Sequence, residues 1–173
     1  KKDSDVIALY SGFSTDIGAT TRTMNLANLS AAIAYAKGNK FGSNVYVNHH
    51  PFAVWDIANQ AVTASSSYPV PAGWSADLLG NFFSGLRPIN GVPVFEDGNI
   101  TIDSSSDAVG VIADKSALAV LKSVDMNKEQ DRDISLRATE VVITADYGVF
   151  ELDDSKGAAL TLNAGTPVTV DPS

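Results

Sequence analysis

The sequence predicts an α+β fold, and three observations carry that prediction. Helix-like and strand-like segments alternate irregularly, without the repeating strand–helix–strand order of a doubly wound sheet. The longest strand-like run, from about Leu136 to Asp146, comes late in the chain. With 173 residues and 45% hydrophobic content, the chain can build one core or two small lobes sharing an interface.

The elements follow in order. Residues 2–10 read as the last turns of a helix, with Val6, Leu9 and Tyr10 apolar and Ser11-Gly12 as the stop. A helix running from the first residue predicts further sequence upstream. Residues 11–24 are a Gly/Ser/Thr-rich loop. Asn25 is a natural N-cap for a helix in which Leu26, Leu29, Ile33 and Ala36 recur at helical spacing. Lys37, Gly38 and Lys40 end that helix with cationic charge and a glycine. "NVYVNHH" reads as a strand, and Pro51 opens the helix "PFAVWDIANQAV", to which Phe52, Trp55, Ile57 and Val62 contribute apolar side chains.

Residues 63–73 read as a loop and 74–83 as a short amphipathic helix. "GLRPINGVPVF" reads as two short strands around the turn "PING", followed by a polar loop at 96–107. "AVGVIA" is an apolar strand. Asp114 is expected to cap a helix "KSALAVLK". A polar arm then leads into the long strand, where Val141 and Ile143 take one face and Val142 and Thr144 the other. Apolar residues on both faces predict that both are at least partly covered. After "LDDSKGAA", "LTLNA" makes a last short strand.

Composition limits the functions available. A net charge of −8 argues against a dedicated nucleic-acid binder, which needs clustered Lys and Arg to displace counterions. It does not forbid a shell that encloses nucleic acid without gripping it. The absence of cysteine removes disulfides, thiolate zinc sites and cysteine nucleophiles. No run reaches the ~18 apolar residues of a membrane span. Charged residues are only 18%, below the ~25% of a typical soluble domain, while Gly, Ala, Ser, Thr and Asn are plentiful. Such a surface suits protein partners at least as well as water.

Candidate chemistry is sparse. His49 and His50 are the only histidines. Adjacent strand residues point to opposite faces, so the pair cannot share one metal while the strand persists. A zinc site would need two further ligands, and the H-E-x-x-H spacing is absent. The favoured reading is structural: His49, His50, Pro51 and Trp55 form a strand-to-helix turn. A Ser–His–Asp hydrolase is possible on inventory alone, but no G-x-S-x-G elbow occurs. The acidic loop "FEDGNITIDSSSD" lacks the D-x-D-x-D-G order of a calcium loop; a solvated loop is favoured, with weak calcium binding left open. Glu140, with Arg132 and Arg137 upstream, suggests an internal or intersubunit ion pair rather than catalysis. No catalytic, metal or cofactor constellation is expected.

The ordered motifs of the C-terminal half resemble a known family. "GVPVFEDGNI", then "AVGVIADKSALAVLKSVDMNKEQDRDISLRATEVVITADYGVFELDDSKGAAL", is similar to the end of a tailed-bacteriophage major capsid protein. That family has a G-[IV]-P-V-[YF] strand, a polar loop, an apolar strand, an "ALALA"-like helix (here "SALAVL"), a charged arm, a "YGV" strand and an acidic turn. "DSDVIALYSGFS" resembles the end of its spine helix, and "NLSAAIAYAKGN…VYVNHHPFAVWDI" the opening of its axial domain. The likeness runs from about residue 3 to 163. The family's N-terminal arm and extended loop have no counterpart here, which places them upstream, and His49 is an addition before the common "HP".

The resemblance implies the Hong Kong ninety-seven shell fold. Residues 1–24 would be the end of the spine helix and its connecting loop, in the peripheral domain. Residues 25–121 would be the axial domain, 122–156 the long strand arm of the peripheral domain, and 157–173 a strand and tail returning to the axial domain. It further implies pentamers and hexamers of identical subunits, an icosahedral shell enclosing double-stranded DNA, and a place in the virion after assembly in the host cytoplasm. Portal, scaffolding or decoration proteins are possible partners. The charged arm suggests that Glu129 or Asp131 pairs with Arg132 or Arg137 of a neighbour. Other readings are an encapsulin-type compartment, a small hydrolase using His49 or His50, and a decoration or tail protein.

Overall fold

The computed structural model describes residues 2–62 and 88–167; the loop expected at 63–73 and the helix expected at 74–83 lie outside them. In chain order the elements are α1 (Lys2–Ala8), a 3-10 turn (Tyr10–Gly12), α2 (Leu26–Gly38), β1 (Val45–His49) and α3 (Pro51–Val62). Then come β2 (Pro88–Ile89), β3 (Val92–Glu96), β4 (Asp107–Asp114), β5 (Leu118–Asp133), β6 (Ala138–Glu151), a second 3-10 turn (Asp154–Lys156) and β7 (Gly157–Asn163).

Five strands form one mixed sheet in the order β2-β3-β1-β4-β7, and β5 and β6 form a separate two-stranded ribbon. In the larger sheet β1 is parallel to β3 and antiparallel to β4, while β4 is antiparallel to β7. β2 and β3 meet through Asn90-Gly91, which have φ of 52° and 78°. Positive φ at both central residues is the requirement of a type I′ hairpin turn, and Asn-Gly meets it at least cost. The loop after the first 3-10 turn runs beside β7. The Ala159 N–H donates to the Thr15 carbonyl and the Ile17 N–H to the Ala159 carbonyl, so this edge is not left as bare backbone.

The core lies against the larger sheet. In α2, Leu29, Ala32, Ile33 and Ala36 make a buried stripe at helical spacing. Asn25 caps the helix, its Oδ1 accepting the Asn28 N–H at 2.7 Å. In β1 the residues Val45, Val47 and His49 are buried, alternating with the half-buried Tyr46 and Asn48. α3 buries Ala53, Val54 and Ile57. Each large aliphatic group buried here contributes roughly 1.5–3 kcal/mol. Trp55, expected among the packing residues, is half-buried and stands beside that face rather than in it; Phe52 is partly buried against the core.

The structure corrects the sequence expectation in the region after β4. "KSALAVLK" is not a helix. The Ala117 N–H donates to the Asp114 carbonyl at 2.9 Å, making a single turn, and the chain then enters β5. Asp114 still caps that turn: its Oδ2 accepts the Ser116 N–H at 3.1 Å and the Ser116 hydroxyl at 2.7 Å. An apolar run of this length is ambiguous by periodicity alone, and here Leu118–Leu121 find backbone partners at Gly148–Glu151. The polar arm is strand as well, continuous to Asp133. Finally, the long strand is not covered: residues 138–146 are exposed on both faces. The last strand begins at Gly157, three residues before the expected start at Leu160.

Candidate functional site

The ribbon of β5 and β6 is the feature that demands a function. Its strands have 16 and 14 residues, so at ~3.3 Å per residue it is about 45 Å long. Asn127 to Asp133 pair without interruption with Ala138 to Thr144, after register shifts near Lys122 to Asn127. Such a bulge bends and twists a ribbon. A four-residue loop, Ile134 to Arg137, closes the far end, with Arg137 at a φ of 50°.

Large apolar side chains on the ribbon face solvent. Ile134 is 85% exposed, Leu136 75% and Ile143 62%; Val120, Leu121, Val124, Val141, Val142 and Phe150 are exposed as well. A two-stranded ribbon is marginal alone in water, and a contiguous apolar surface on a folded chain marks a contact with another molecule.

The root of the ribbon is fixed. The Tyr147 hydroxyl donates to Asp5 Oδ2 at 2.5 Å, and Lys2 Nζ lies 5.2 Å from the centre of the same ring. Accepting by the nearby carboxylate raises the Tyr147 pKa, because ionised phenol would face Asp5. The Leu152 N–H donates to the Ala117 carbonyl at 2.8 Å, and the Ser14 N–H to Asp154 Oδ1 at 2.8 Å. α1 and the loop behind it thus tie the ribbon to the body at its root.

The structure brings the five candidate contact residues together at that far half. Glu129, Asp131 and Arg132 are on β5, Glu140 on β6 and Arg137 in the turn. Glu129 is opposite Val142, Asp131 opposite Glu140, and Arg132 opposite Thr139. All five are exposed. The Arg132 N–H donates to Asp131 Oδ1 at 2.7 Å, and Asn127 Nδ2 to Glu129 Oε1 at 3.2 Å. Among the described residues no ion pair joins Glu140 to either arginine; its cross-strand neighbour is another carboxylate. The residues missed by sequence reasoning are Val120, Leu121, Val124 and Phe150. The signal was present in Val120, Val124 and Phe150, since β-branched and aromatic residues suit a strand.

The histidines have a different environment. His49 is fully buried; its Nδ1 accepts the His50 N–H at 2.9 Å, and its Nε2 lies 3.1 Å from the Leu160 carbonyl. The Nε2–H tautomer satisfies both contacts, so no ring lone pair is left to act as a base. Burial holds its pKa down at about 4. The ring lies over Gly110 of β4, where a Cβ would come within 2.3 Å of His49 Cδ2 and 2.5 Å of the Asn48 carbonyl oxygen. His50 is the N-cap of α3. Its carbonyl accepts the Ala53 and Val54 N–H groups, its Nδ1 accepts the Phe52 N–H at 3.1 Å, and Pro51 occupies the first helical position. Its ring packs edge-on to Phe52 at 4.7 Å. In the acidic loop, Asp97 and Asp103 accept N–H groups of their own turns. Among the described residues no cluster of three metal-ligating side chains occurs.

No protein-family model and no curated protein sequence matches the chain. Solved structures do. The head structure of Helicobacter pylori bacteriophage KHP40 aligns with a TM-score of 0.67 at 13% identity, over 95% of this chain and 65% of that one. A structure of Mycobacterium phage Che8 aligns at 0.65 and 14%, over 92% and 57%. The holo-SrpI encapsulin complex from Synechococcus elongatus PCC 7942 aligns at 0.64 and 11%, over 98% and 63%. The chain therefore has the α+β shell fold of the Hong Kong ninety-seven type, and spans less than two thirds of the length of each of these structures.

Proposed function

We propose that this chain is the shell-forming part of a tailed-phage major capsid protein, a non-enzymatic subunit that self-assembles into an icosahedral shell around double-stranded DNA. The observation that carries the proposal is the ribbon: about 45 Å of paired strand with apolar residues exposed on both faces among the described residues. A single subunit of such a shape is incomplete. Contacts made by rotation within a capsomer are heterologous, so each copy offers one surface and receives another, as pentamers and hexamers require.

In this reading the larger sheet with α2 and α3 is the axial domain, the ribbon with α1 is the peripheral domain, and β7 returns the chain to the axial domain. β5 is continuous across residues 121 and 122, which supports a peripheral part that starts with that strand, near Leu118. Glu129, Asp131, Arg132, Arg137 and Glu140 make intersubunit contacts. The net charge of −8 keeps packaged DNA from being held tightly, since an acidic wall repels phosphate within ~8–10 Å. The subunit resides in the virion after assembly in the host cytoplasm, where portal, scaffolding or decoration proteins can join it.

Negative-stain imaging of the purified full-length protein tests this directly. Closed shells are expected, and a monodisperse small particle would overturn the proposal. The encapsulin likeness favours a second reading, a protein compartment of the same fold. Cargo separates the two: nucleic acid inside the particles supports the capsid, and protein cargo without nucleic acid supports the compartment. Arg132→Ala and Arg137→Ala are each expected to weaken assembly. Alanine at 137 keeps the left-handed backbone requirement, so that variant reads mainly the guanidinium.

A further inference from the structure

Asn90-Gly91 is the only Asn-Gly pair in the sequence, and the fold puts both residues, exposed, at the turn between β2 and β3. An asparagine followed by glycine is a chemically labile pair, because the next peptide nitrogen can attack the side-chain amide and glycine offers no Cβ to hinder it. A Cβ built on Gly91 would meet nothing within 4 Å, and among the described residues the Gly91 N–H has no hydrogen-bond partner. Two contacts from α2 distinguish this turn from an ordinary hairpin. Lys37 Nζ donates to the Asn90 carbonyl at 2.8 Å. That carbonyl is conjugated with the Gly91 nitrogen across their shared peptide bond, so an ammonium on it stabilises the negative charge left when the nitrogen loses its proton. Asn90 Nδ2 donates to Ser30 Oγ at 3.3 Å, which holds the amide against the helix.

We propose that Asn90-Gly91 is a self-modification site, at which the folded chain converts the asparagine to aspartate and isoaspartate with Lys37 promoting the step. The Gly91 nitrogen gives its proton to solvent and forms a bond to Asn90 Cγ. The bond from Cγ to Nδ2 breaks, and the nitrogen takes a proton and leaves as ammonia. Water then opens the resulting five-membered imide. Addition at the side-chain carbonyl gives aspartate, and addition at the backbone carbonyl gives isoaspartate. The only co-reactant is water. The aspartate product keeps the turn, since aspartate tolerates the left-handed backbone seen at a φ of 52°, and it brings a carboxylate to Lys37. The isoaspartate product adds a methylene carbon to the main chain between Ile89 and Val92, whose pairing closes a two-residue loop, so the hairpin must open. The edge of the larger sheet thus changes with the age of the protein, whatever assembly it belongs to.

Timed incubation of the full-length protein in buffer at neutral pH tests it. Peptide mass spectrometry follows the mass gain at Asn90, and chromatography separates the aspartate and isoaspartate forms. The same measurement in denaturing urea gives the rate of the pair without its fold, and circular dichroism reports folding. Conversion in the folded parent should run at no less than about a third of the rate in urea, because Lys37 offsets the restraint of the turn. Lys37→Gln should slow the folded chain by about threefold or more, the range open to one exposed charge, and leave the rate in urea unchanged. Lys37→Arg keeps the cation and should keep the parental rate. If Lys37→Gln fails to fold, Lys37→Met gives the same reading. A folded parent protected beyond that limit, or folded rates equal with and without the charge at position 37, would overturn the proposal.

Discussion

His49 is a polar ring held without charge in the core, and that makes it a pH-sensitive weakness. Its folded pKa of about 4 lies below the ordinary 6.5, so between these values the unfolded chain binds the extra proton. Stability therefore rises with pH across this window and falls as pH drops from 6.5 toward 4, by about 3 kcal/mol if His49 alone is counted. Urea unfolding of the unassembled chain at pH 7, 5.5 and 4 should show this decline, and His49→Gln should flatten it. Burial lowers the His50 pKa as well, in the same direction. Gly110 is coupled to the same ring. Gly110→Ala pushes a methyl group into His49 and the Asn48 carbonyl, and should destabilise by about 1–3 kcal/mol in the same unfolding measurement. Asp114 behaves oppositely to His49. Hydrogen bonds from Ser116 and Asn44 hold its carboxyl below the usual range, so its contribution is present above the ordinary pKa and lost as pH falls through the lowered one. Asp114→Ala should cost about 1–3 kcal/mol by leaving the Asn44 and Ser116 N–H groups unpaired.

Among the elements, the ribbon and the larger sheet answer to different demands. The sheet is stabilised within the subunit, since β4 is buried along nearly its whole length. Residues 138–146, in the far half of the ribbon, are exposed among the described residues. Val141→Ser with Ile143→Ser should therefore change the unfolding midpoint of the isolated chain little, within about 0.5 kcal/mol per site, while sharply reducing assembly. Thermal melting and sedimentation read the two effects separately. A loss of subunit stability equal to a buried substitution would mean that the ribbon packs inside its own chain. Local signals explain why α2, α3 and the Asn90-Gly91 hairpin were legible in the sequence: Asn25, Pro51 and Gly91 each fix a boundary through backbone chemistry. "SALAVL" offered no such boundary. Its conformation depends on a partner strand about thirty residues away.

The whole molecule reads as a body with a protruding arm, and its fold is shared with phage heads and an encapsulin at identities of 11–14%. At that distance the shared backbone geometry carries the likeness. If ribbon contacts hold the particle together, raising salt should loosen it, because screened charges on exposed strands lose their attraction. Light scattering of assembled particles from low to high ionic strength should show dissociation favoured at high salt, and Lys128→Gln with Arg132→Gln should weaken that dependence. No change with salt in the parent would shift the assembly energy to the apolar residues.

The sequence by itself determined the local pieces: the cap at Asn25, the strand-to-helix turn at His50 with the helix opened by Pro51, the order of motifs and the absence of thiol chemistry. Each of these follows from a residue and its near neighbours. The tertiary structure decided what lay between distant residues. It turned Leu118–Leu121 into strand by pairing them with Gly148–Glu151, left Val141 to Ile143 exposed, set Asp131 against Glu140, and buried His49 over Gly110 beside the Leu160 carbonyl. Strand pairing is non-local, and register sorts every side chain onto a face, so these facts exist only once the partner strand is in place.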